Sequence, residues 1–116
     1  MPPRIQRAIS IRQPWVELIL RGQKTHEFRP RPTNIRERVY LYASLRPADS
    51  PSAWRKVGKE KGALPVGVVV GTVEIAGCSH RAASDDYAYA LRRPQRLRTP
   101  VRPKNQPQPG FWRPEF

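Results

Sequence analysis

Residues 12–29 read RQPWVELILRGQKTHEFR, and this stretch predicts an amphipathic helix followed by a turn and a strand. Pro14 suits the first helical position, because the missing N–H of proline costs nothing there. One helical face is apolar, with hydrophobic residues at positions i, i+3 and i+4: Trp15, Leu18 and Ile19. Gly22 is a candidate left-handed residue that ends the helix. A strand over residues 25–29 would follow.

Charged residues cluster just after this helix. Lys24 precedes the predicted strand, and Glu27 and Arg29 share one of its faces because strand side chains alternate. Such convergence beside an apolar helix is typical of a pocket; a solvated strand edge with an incidental ion pair is the alternative. Within the helix, Glu17 and Arg21 are spaced as i and i+4 and are predicted to face solvent.

Length and composition favour one domain over residues 1–116 with a modest core. The hydrophobic fraction is 38% and the mean hydropathy is −0.69, which predicts that part of the chain is loop or tail. No apolar run approaches the roughly 20 residues of a membrane span, and the first residues lack the core of a signal peptide. Cys78 is the one cysteine, so no internal disulfide is expected. We expect a monomer in the reducing cytoplasm.

The charge balance points to a polyanionic partner. Twenty-two Lys and Arg residues stand against nine Asp and Glu, which gives +13 and a pI near 11.2. Arginine outnumbers lysine, which suits contacts to phosphates and stacking on bases. A GC-rich genome also raises the arginine content, and an acidic protein is another possible partner. Composition therefore indicates contact with nucleic acid without showing that this contact is the function.

The order of elements predicts a small mixed β-barrel of the α+β class, with one to two helices at its rim. Strands are predicted over residues 4–11, 25–29, 36–44, 64–77 and 87–92, and a short basic helix over residues 53–62. Residues 1–3 are predicted to be disordered, residues 78–86 to form a polar loop, and residues 99–110 to be a proline-rich extended segment. The late aromatic pair Phe111 and Trp112 is expected to dock back on the core.

Several short motifs together resemble one known family. They are SIRQPW at 10–15, the G-x-K-x-x-E-x-R string at 22–29, YAS at 42–44, GTVEIAGC at 71–78, a turn at 93–97 and P-V-x-x-K at 100–104. No single motif is specific, but their order and spacing resemble the ASCH domain, the activating-signal-cointegrator homology domain of the PUA-like superfamily. The resemblance covers residues 8–112.

The resemblance implies a PUA-like barrel with a cleft beside the first helix. Relatives are associated with binding of RNA or DNA, and some bacterial members are amidohydrolases acting on acetylated cytidine, or ribonucleases. Lys24 matches the lysine that the amidohydrolase branch uses in catalysis, whereas Glu27 stands where that branch has a threonine. Asn105 replaces the family's usual glycine after the late lysine. A further catalytic carboxylate has three candidates: Glu74, Asp85 and Asp86.

We therefore expect a protein that binds nucleic acid, RNA rather than DNA, through a basic cleft beside the first helix. The predicted binding residues are Arg12, Gln13, Trp15, Lys24, Arg29, Ser44, Arg92, Arg93, Arg96, Arg98 and Lys104. The alternative is a hydrolase acting on a modified nucleoside or on RNA, with Lys24 and Glu27 as its catalytic residues. Trp15 at helical spacing is also compatible with a core residue. No cofactor is expected, and no metal site, because one Cys and two His cannot form a closed zinc site.

Overall fold

The computed structural model describes residues 4–116, and the predicted disorder of residues 1–3 lies outside this range. The elements are β1 (Ala8–Ile11), α1 (Trp15–Leu20), β2 (His26–Arg29), β3 (Arg38–Ala43), α2 (Pro51–Val57), β4 (Val68–Arg81), β5 (Asp86–Val101) and β6 (Phe111–Trp112). One sheet and two short helices account for the regular structure of residues 4–116. The predicted α+β class is therefore confirmed.

The sheet has six strands in the order β2-β5-β4-β3-β1-β6. β1 and β3 are parallel, and all other neighbouring strands are antiparallel. β2 and β6 each pair on one side only, so the predicted closed barrel is not confirmed. Side chains bridge the open side instead: Arg29 Nη2 donates to the Ser10 carbonyl at 2.7 Å, and the Tyr89 and Phe111 rings lie 6.0 Å apart. The edge strands have four and two residues, and within residues 4–116 no strand pairing joins them.

The main core forms between α1 and the sheet. Its buried members come from β1, α1, β3, β4 and β5, and include Ile9, Ile11, Val16, Ile19, Leu41, Val73 and Leu91. The predicted apolar face of α1 is confirmed by the burial of Leu18 and Ile19, while Trp15 is half-buried. Leu18 packs with Trp54, Val57 and Leu64, which attaches α2 to α1. Full burial of a side chain such as Leu18 stabilises the fold by roughly 1.5–3 kcal/mol.

Glu17 is buried, so the prediction that it faces solvent is wrong. Its side chain accepts two hydrogen bonds from Arg96, at 2.9 and 2.9 Å, and one from Arg21 at 2.8 Å. The bonds from Arg96, supported by Arg21, lower the pKa of the Glu17 carboxyl against the opposing effect of burial. Arg96 lies 79 residues further along the chain, so no local pattern could have indicated this pairing.

Several boundaries differ from the prediction. β1 begins at Ala8 instead of residue 4, and α2 ends at Val57 because Gly58 adopts a φ of 72°. The polar loop predicted over residues 78–86 is mostly strand, with the turn confined to residues 82–85. Polar side chains on both faces of this exposed hairpin hide the alternation that identifies a strand. Neither helix within residues 4–116 is long and apolar enough to cross a membrane.

The end of the chain returns to the sheet. β5 continues to Val101 across register shifts, so the segment predicted as extended over residues 99–110 is strand at its start and lacks regular structure over residues 102–110. β6 then pairs with β1. Trp112 is 6% exposed, and its Nε1 donates to Ser10 Oγ at 2.9 Å. The predicted docking of the late aromatic pair is confirmed.

Candidate functional site

A recess, here called the main cavity, opens where β1 leads into α1. Its volume is about 560 Å³. It brings together five residues named from the sequence: Arg12, Trp15, Glu27, Arg29 and Ser44. Residues that were not predicted complete its walls: Ser10, Ile11, Tyr42, Leu45, Arg46 and residues 107–110. The cavity therefore combines the cleft beside the first helix with a wall from the C-terminal part of the chain.

An ion network forms one wall of the main cavity. Glu27 is 8% exposed, and its Oε2 accepts hydrogen bonds from Arg29 Nε at 2.9 Å and Arg29 Nη2 at 2.6 Å. Lys24 Nζ lies 3.5 Å from Glu27 Oε1. Arg29 also donates to the Ser10 carbonyl, so β2 is fixed against β1. Such short charged hydrogen bonds hold the carboxylate in one orientation, with Oε1 less engaged than Oε2.

Lys24 lies in a second groove next to the main cavity. This groove has a volume of about 430 Å³ and is lined by Lys24, His26, Phe28 and Lys56 among others, and Trp15 lines both recesses. Lys24 Nζ and Arg81 Cζ stand 4.9 and 3.7 Å from the centre of the half-exposed Phe28 ring. The two predicted catalytic residues are thus in contact, but they line different recesses.

Gln13 does not line the main cavity. Its side chain is 1% exposed, and its amide donates to the Pro65 carbonyl at 3.0 Å and accepts from the Glu17 N–H at 3.1 Å. Both ends of the amide are therefore occupied by the protein. Gln13 therefore positions the start of α1. Its amide is not free to read a base edge, whereas the sequence had suggested that it binds nucleic acid.

Ser10 holds the C-terminal wall of the main cavity in place. Its N–H donates to the Gly110 carbonyl at 3.0 Å, and its Oγ donates to the Gln108 carbonyl at 2.7 Å. Trp112 Nε1 donates to the same Oγ. Sequence reasoning missed this wall, because residues 107–110 carry no signal beyond their turn-forming composition. The Y-A-S motif did contain Tyr42, yet only its serine was singled out.

The arginine run of β5 is divided among several places. Arg96 pairs with Glu17, and Arg93 donates to Glu74 at 2.8 Å. Arg92 and Arg98 are exposed on β5, and Lys104 lines a small cavity of about 240 Å³ that adjoins the main one. None of these five side chains lines the main cavity. They form separate parts of a basic surface, and Arg96 stabilises the fold through its ion pair with Glu17.

Most of the positive charge has no acidic partner. Eight Lys and Arg side chains lie within 4.0 Å of a carboxylate, which leaves 14 of the 22 unpaired within residues 4–116. Arg12 and Arg46, both exposed, are two of the 14 and line the main cavity. Charge concentrated at a recess attracts anions more strongly than the same charge spread over a surface.

Comparison with known proteins agrees with this architecture. No curated protein matches the sequence. The crystal structure of ASCH from Zymomonas mobilis superposes with a TM-score of 0.64 and 18% identity, over 96% of this chain and 88% of that one. Crystal structures of a tyrosine-to-phenylalanine and a serine-to-alanine variant of that protein give the same TM-score and identity. They cover 95% and 97% of this chain and 90% of each of those chains.

At this identity the superpositions show a shared fold. The sequence itself matches the family model of the ASCH domain over residues 9–97. That range runs from β1 to the middle of β5 and includes the ion network of Glu27 and Arg29. The chain belongs to the ASCH domain family.

Proposed function

We propose that this protein binds single-stranded RNA and takes one unpaired nucleotide into the main cavity. The observation that carries the proposal is the composition of the cavity. An aromatic side chain, a fixed carboxylate and three guanidinium groups, those of Arg12, Arg29 and Arg46, surround about 560 Å³. This volume falls in the range of roughly 300–1,000 Å³ that small-molecule pockets occupy. Membership in the ASCH family, which is PUA-like and linked to RNA binding or hydrolase activity, agrees with the proposal.

The polar groups of the main cavity suit the edges of a nucleotide. Glu27 Oε1 is 3.5 Å from Lys24, so it keeps the capacity to accept a hydrogen bond from the exocyclic amino group of a base. The hydroxyl of Ser44, a residue that lines the cavity, is a partner for a ribose. Hydrogen bonds to the 2′-hydroxyl favour RNA over DNA. Sequence-specific RNA recognition uses splayed bases of single strands, and a recess of this kind excludes a base that is paired.

The unpaired cations supply affinity for the backbone. Arg12 and Arg46 stand at the main cavity with no carboxylate within 4.0 Å, and the net charge of the chain is +13. Contacts of such cations to phosphates release counterions, so the logarithm of the binding constant falls by about 0.7 per contact for each decade of salt.

A titration with matched nucleic acids tests the proposal. Fluorescence anisotropy would compare a labelled decamer of single-stranded RNA, the same sequence as duplex RNA, and the same sequence as single-stranded DNA, at 50 and 200 mM salt. We expect the single-stranded RNA to bind most tightly and all affinities to fall with salt. Equal affinity for single strand and duplex would refute a role for the main cavity and leave a non-specific basic surface.

A hydrolase is the second candidate, and the contact between Lys24 and Glu27 supports it. Both side chains are largely buried, and Lys24 Nζ lies 3.5 Å from the carboxylate. Lys24 lines the second groove and not the main cavity, where Glu27 lies. This separation favours a structural role for Lys24. Incubation with acetylated cytidine, followed by detection of acetate, would decide the point. Acetate released by the wild type and not by the Lys24→Ala variant would make the protein an enzyme.

A further inference from the structure

The small cavity next to the main one has features of an anion site. Tyr42, Leu45 and Pro107 line both cavities, so the two are contiguous. The small cavity holds about 240 Å³ and is also lined by Arg102 and Lys104. Neither cation has a carboxylate within 4.0 Å or a side-chain hydrogen bond among residues 4–116. Two uncompensated charges therefore face one recess at the side of the main cavity.

The backbone at Lys104 is held by contacts with the last residues of the chain. The Lys104 N–H donates to the Glu115 carbonyl at 2.7 Å. Asn105 Nδ2 donates to the Arg113 carbonyl at 2.9 Å, and Asn105 Oδ1 accepts from the Glu115 N–H at 2.8 Å. Three hydrogen bonds thus join Lys104 and Asn105 to residues 113–115. A backbone held in place in this way reduces the entropy lost when an anion binds.

The hydroxyl of Tyr42 is the second sign of a ligand site. The residue is 3% exposed, yet its hydroxyl makes no hydrogen bond with residues 4–116. Every fully buried polar side-chain atom in this range has a partner, so this hydroxyl must open into the recesses that Tyr42 lines. Burial raises the pKa of the phenol, with Arg102 acting in the opposite direction. The Tyr42 hydroxyl is thus a hydrogen-bond donor without a protein partner at the junction of the two cavities, and it is available to a ligand that binds there.

We infer that the small cavity is a phosphate subsite, in which Arg102, Lys104 and the Tyr42 hydroxyl bind a phosphate of the nucleotide whose nucleoside occupies the main cavity. The inference rests on the proposed function and makes it more specific. The recess has less than half the volume of the main cavity, which suits a phosphate group next to a larger nucleoside. Guanidinium and ammonium groups both bind phosphate, arginine through paired N–H groups and lysine as a point charge.

The subsite has a consequence for the choice between the two candidate functions. A binding protein for RNA gains affinity from each phosphate beside the bound nucleoside. A hydrolase acting on free nucleosides has no phosphate to place in the small cavity. Tighter binding of nucleotides than of nucleosides therefore favours RNA binding over hydrolysis of free nucleosides.

The first arm of the test uses mononucleotides. Calorimetry at constant ionic strength would compare the four ribonucleosides with their 3′- and 5′-monophosphates, and with inorganic phosphate alone. We expect at least one monophosphate to bind about tenfold more tightly than its nucleoside, the gain of one charged hydrogen bond. Phosphate alone should bind more weakly than that monophosphate. Monophosphates that bind no better than nucleosides, or no detectable monophosphate binding, would overturn the subsite.

Substitutions then show which residues provide the higher affinity for the monophosphate. Arg102→Gln and Lys104→Gln together should remove the preference for the monophosphate and leave nucleoside affinity unchanged, and Tyr42→Phe should reduce the preference without changing charge. Arg55→Gln with Lys59→Gln is the matched control, because both residues are exposed and line neither cavity. Persistence of the preference in the Arg102→Gln/Lys104→Gln protein would overturn the inference.

The second arm separates this inference from the function on which it rests. With single-stranded RNA, the Arg102→Gln/Lys104→Gln protein should lose about 1.4 units of salt slope, for two contacts, relative to the Arg55→Gln/Lys59→Gln control. RNA binding that is unaffected beyond the control would refute the subsite and leave the RNA-binding function standing. Binding of a monophosphate without any RNA binding would refute the RNA-binding function and leave the phosphate subsite standing.

Discussion

Arg96 on β5 and Glu17 on α1 form a two-point ion pair, with both nitrogen–oxygen distances at 2.9 Å. The pair joins elements 79 residues apart in the chain, and Arg21 adds a third hydrogen bond to the same carboxylate. It fixes α1 against the sheet, and α1 begins at Trp15, which lines the main cavity. The main cavity therefore depends on a contact that lies outside it.

Substitution of Glu17 tests this contact. Glu17→Gln should lower the free energy of unfolding by about 1–2 kcal/mol, because the amide cannot accept both Arg96 bonds and leaves a half-exposed guanidinium without its partner. Urea denaturation measures the change. Glu74→Gln is the matched control: its partner Arg93 is 75% exposed, so the loss should stay below about 0.5 kcal/mol. Equal losses in both variants would contradict the role given to the Arg96–Glu17 pair.

The same carboxyl predicts a dependence on pH. Arg96 and Arg21 lower the pKa of Glu17 in the folded protein below its ordinary value of 4.5. The unfolded chain thus binds the proton more readily, so the stabilisation is complete above pH 4.5 and lost as the pH falls below it. Urea titrations from pH 3 to 7 should show that the difference between wild type and Glu17→Gln shrinks at acid pH.

Groups other than Glu17 titrate in both the wild type and the Glu17→Gln variant, so their contributions cancel in the difference between the two unfolding free energies. Asp86 has its pKa lowered to about 2 by Arg81 and Ser84, but this group is the same in both proteins. A difference in unfolding free energy that stays constant from pH 3 to 7 would show that Glu17 does not titrate as the ion pair requires.

Gly71 allows α1 to approach the sheet. A Cβ at this position would meet the Gln95 carbonyl and Leu20 Cδ2, each at 2.5 Å. Gly71→Ala should therefore destabilise the protein by about 1–3 kcal/mol, the usual penalty for overpacking. Gly77→Ala in the same strand is the control, since its nearest neighbour would be 3.6 Å away. Thermal unfolding of the two variants gives the answer, and similar melting temperatures would refute the close approach.

Ser10 is predicted to control the C-terminal wall of the main cavity. Ser10→Ala removes the donor to the Gln108 carbonyl and the acceptor for Trp112 Nε1, so it should reduce stability by about 1–2 kcal/mol. Limited proteolysis should cut residues 102–110 faster in this variant than in the wild type. Ser79→Ala, at an exposed position of β4, should leave the rate unchanged. An unaltered rate in Ser10→Ala would show that the wall is held by other contacts.

Local patterns in the sequence predicted the parts of the fold that depend on neighbouring residues. The helical face of Leu18 and Ile19, the positive φ of Gly22 and the shared face of Glu27 and Arg29 all follow from spacing alone. The docking of Trp112 also followed from its apolar character within a polar tail. These features need no knowledge of which distant element they contact.

Contacts between distant elements could not be predicted in the same way. The burial of Glu17 requires Arg96, and the wall of residues 107–110 requires Ser10, and each pair is separated by most of the chain. The strands of the long β4–β5 hairpin were predicted to be shorter than they are, because polar side chains obscure the strand pattern. Gln13 was assigned to the cleft by its place in a motif, whereas its burial depends on the Pro65 carbonyl.

We propose that single-stranded RNA binds in the main cavity. The most direct measurement is its affinity for a double variant, Arg12→Gln with Arg46→Gln, against a control double variant, Arg55→Gln with Lys59→Gln. Both remove two charges, but only the first pair lines the main cavity. We expect the cavity variant to lose more than about tenfold in affinity at 150 mM salt, and the control about twofold. Equal losses would contradict the claim, because the RNA would then be responding to net charge alone.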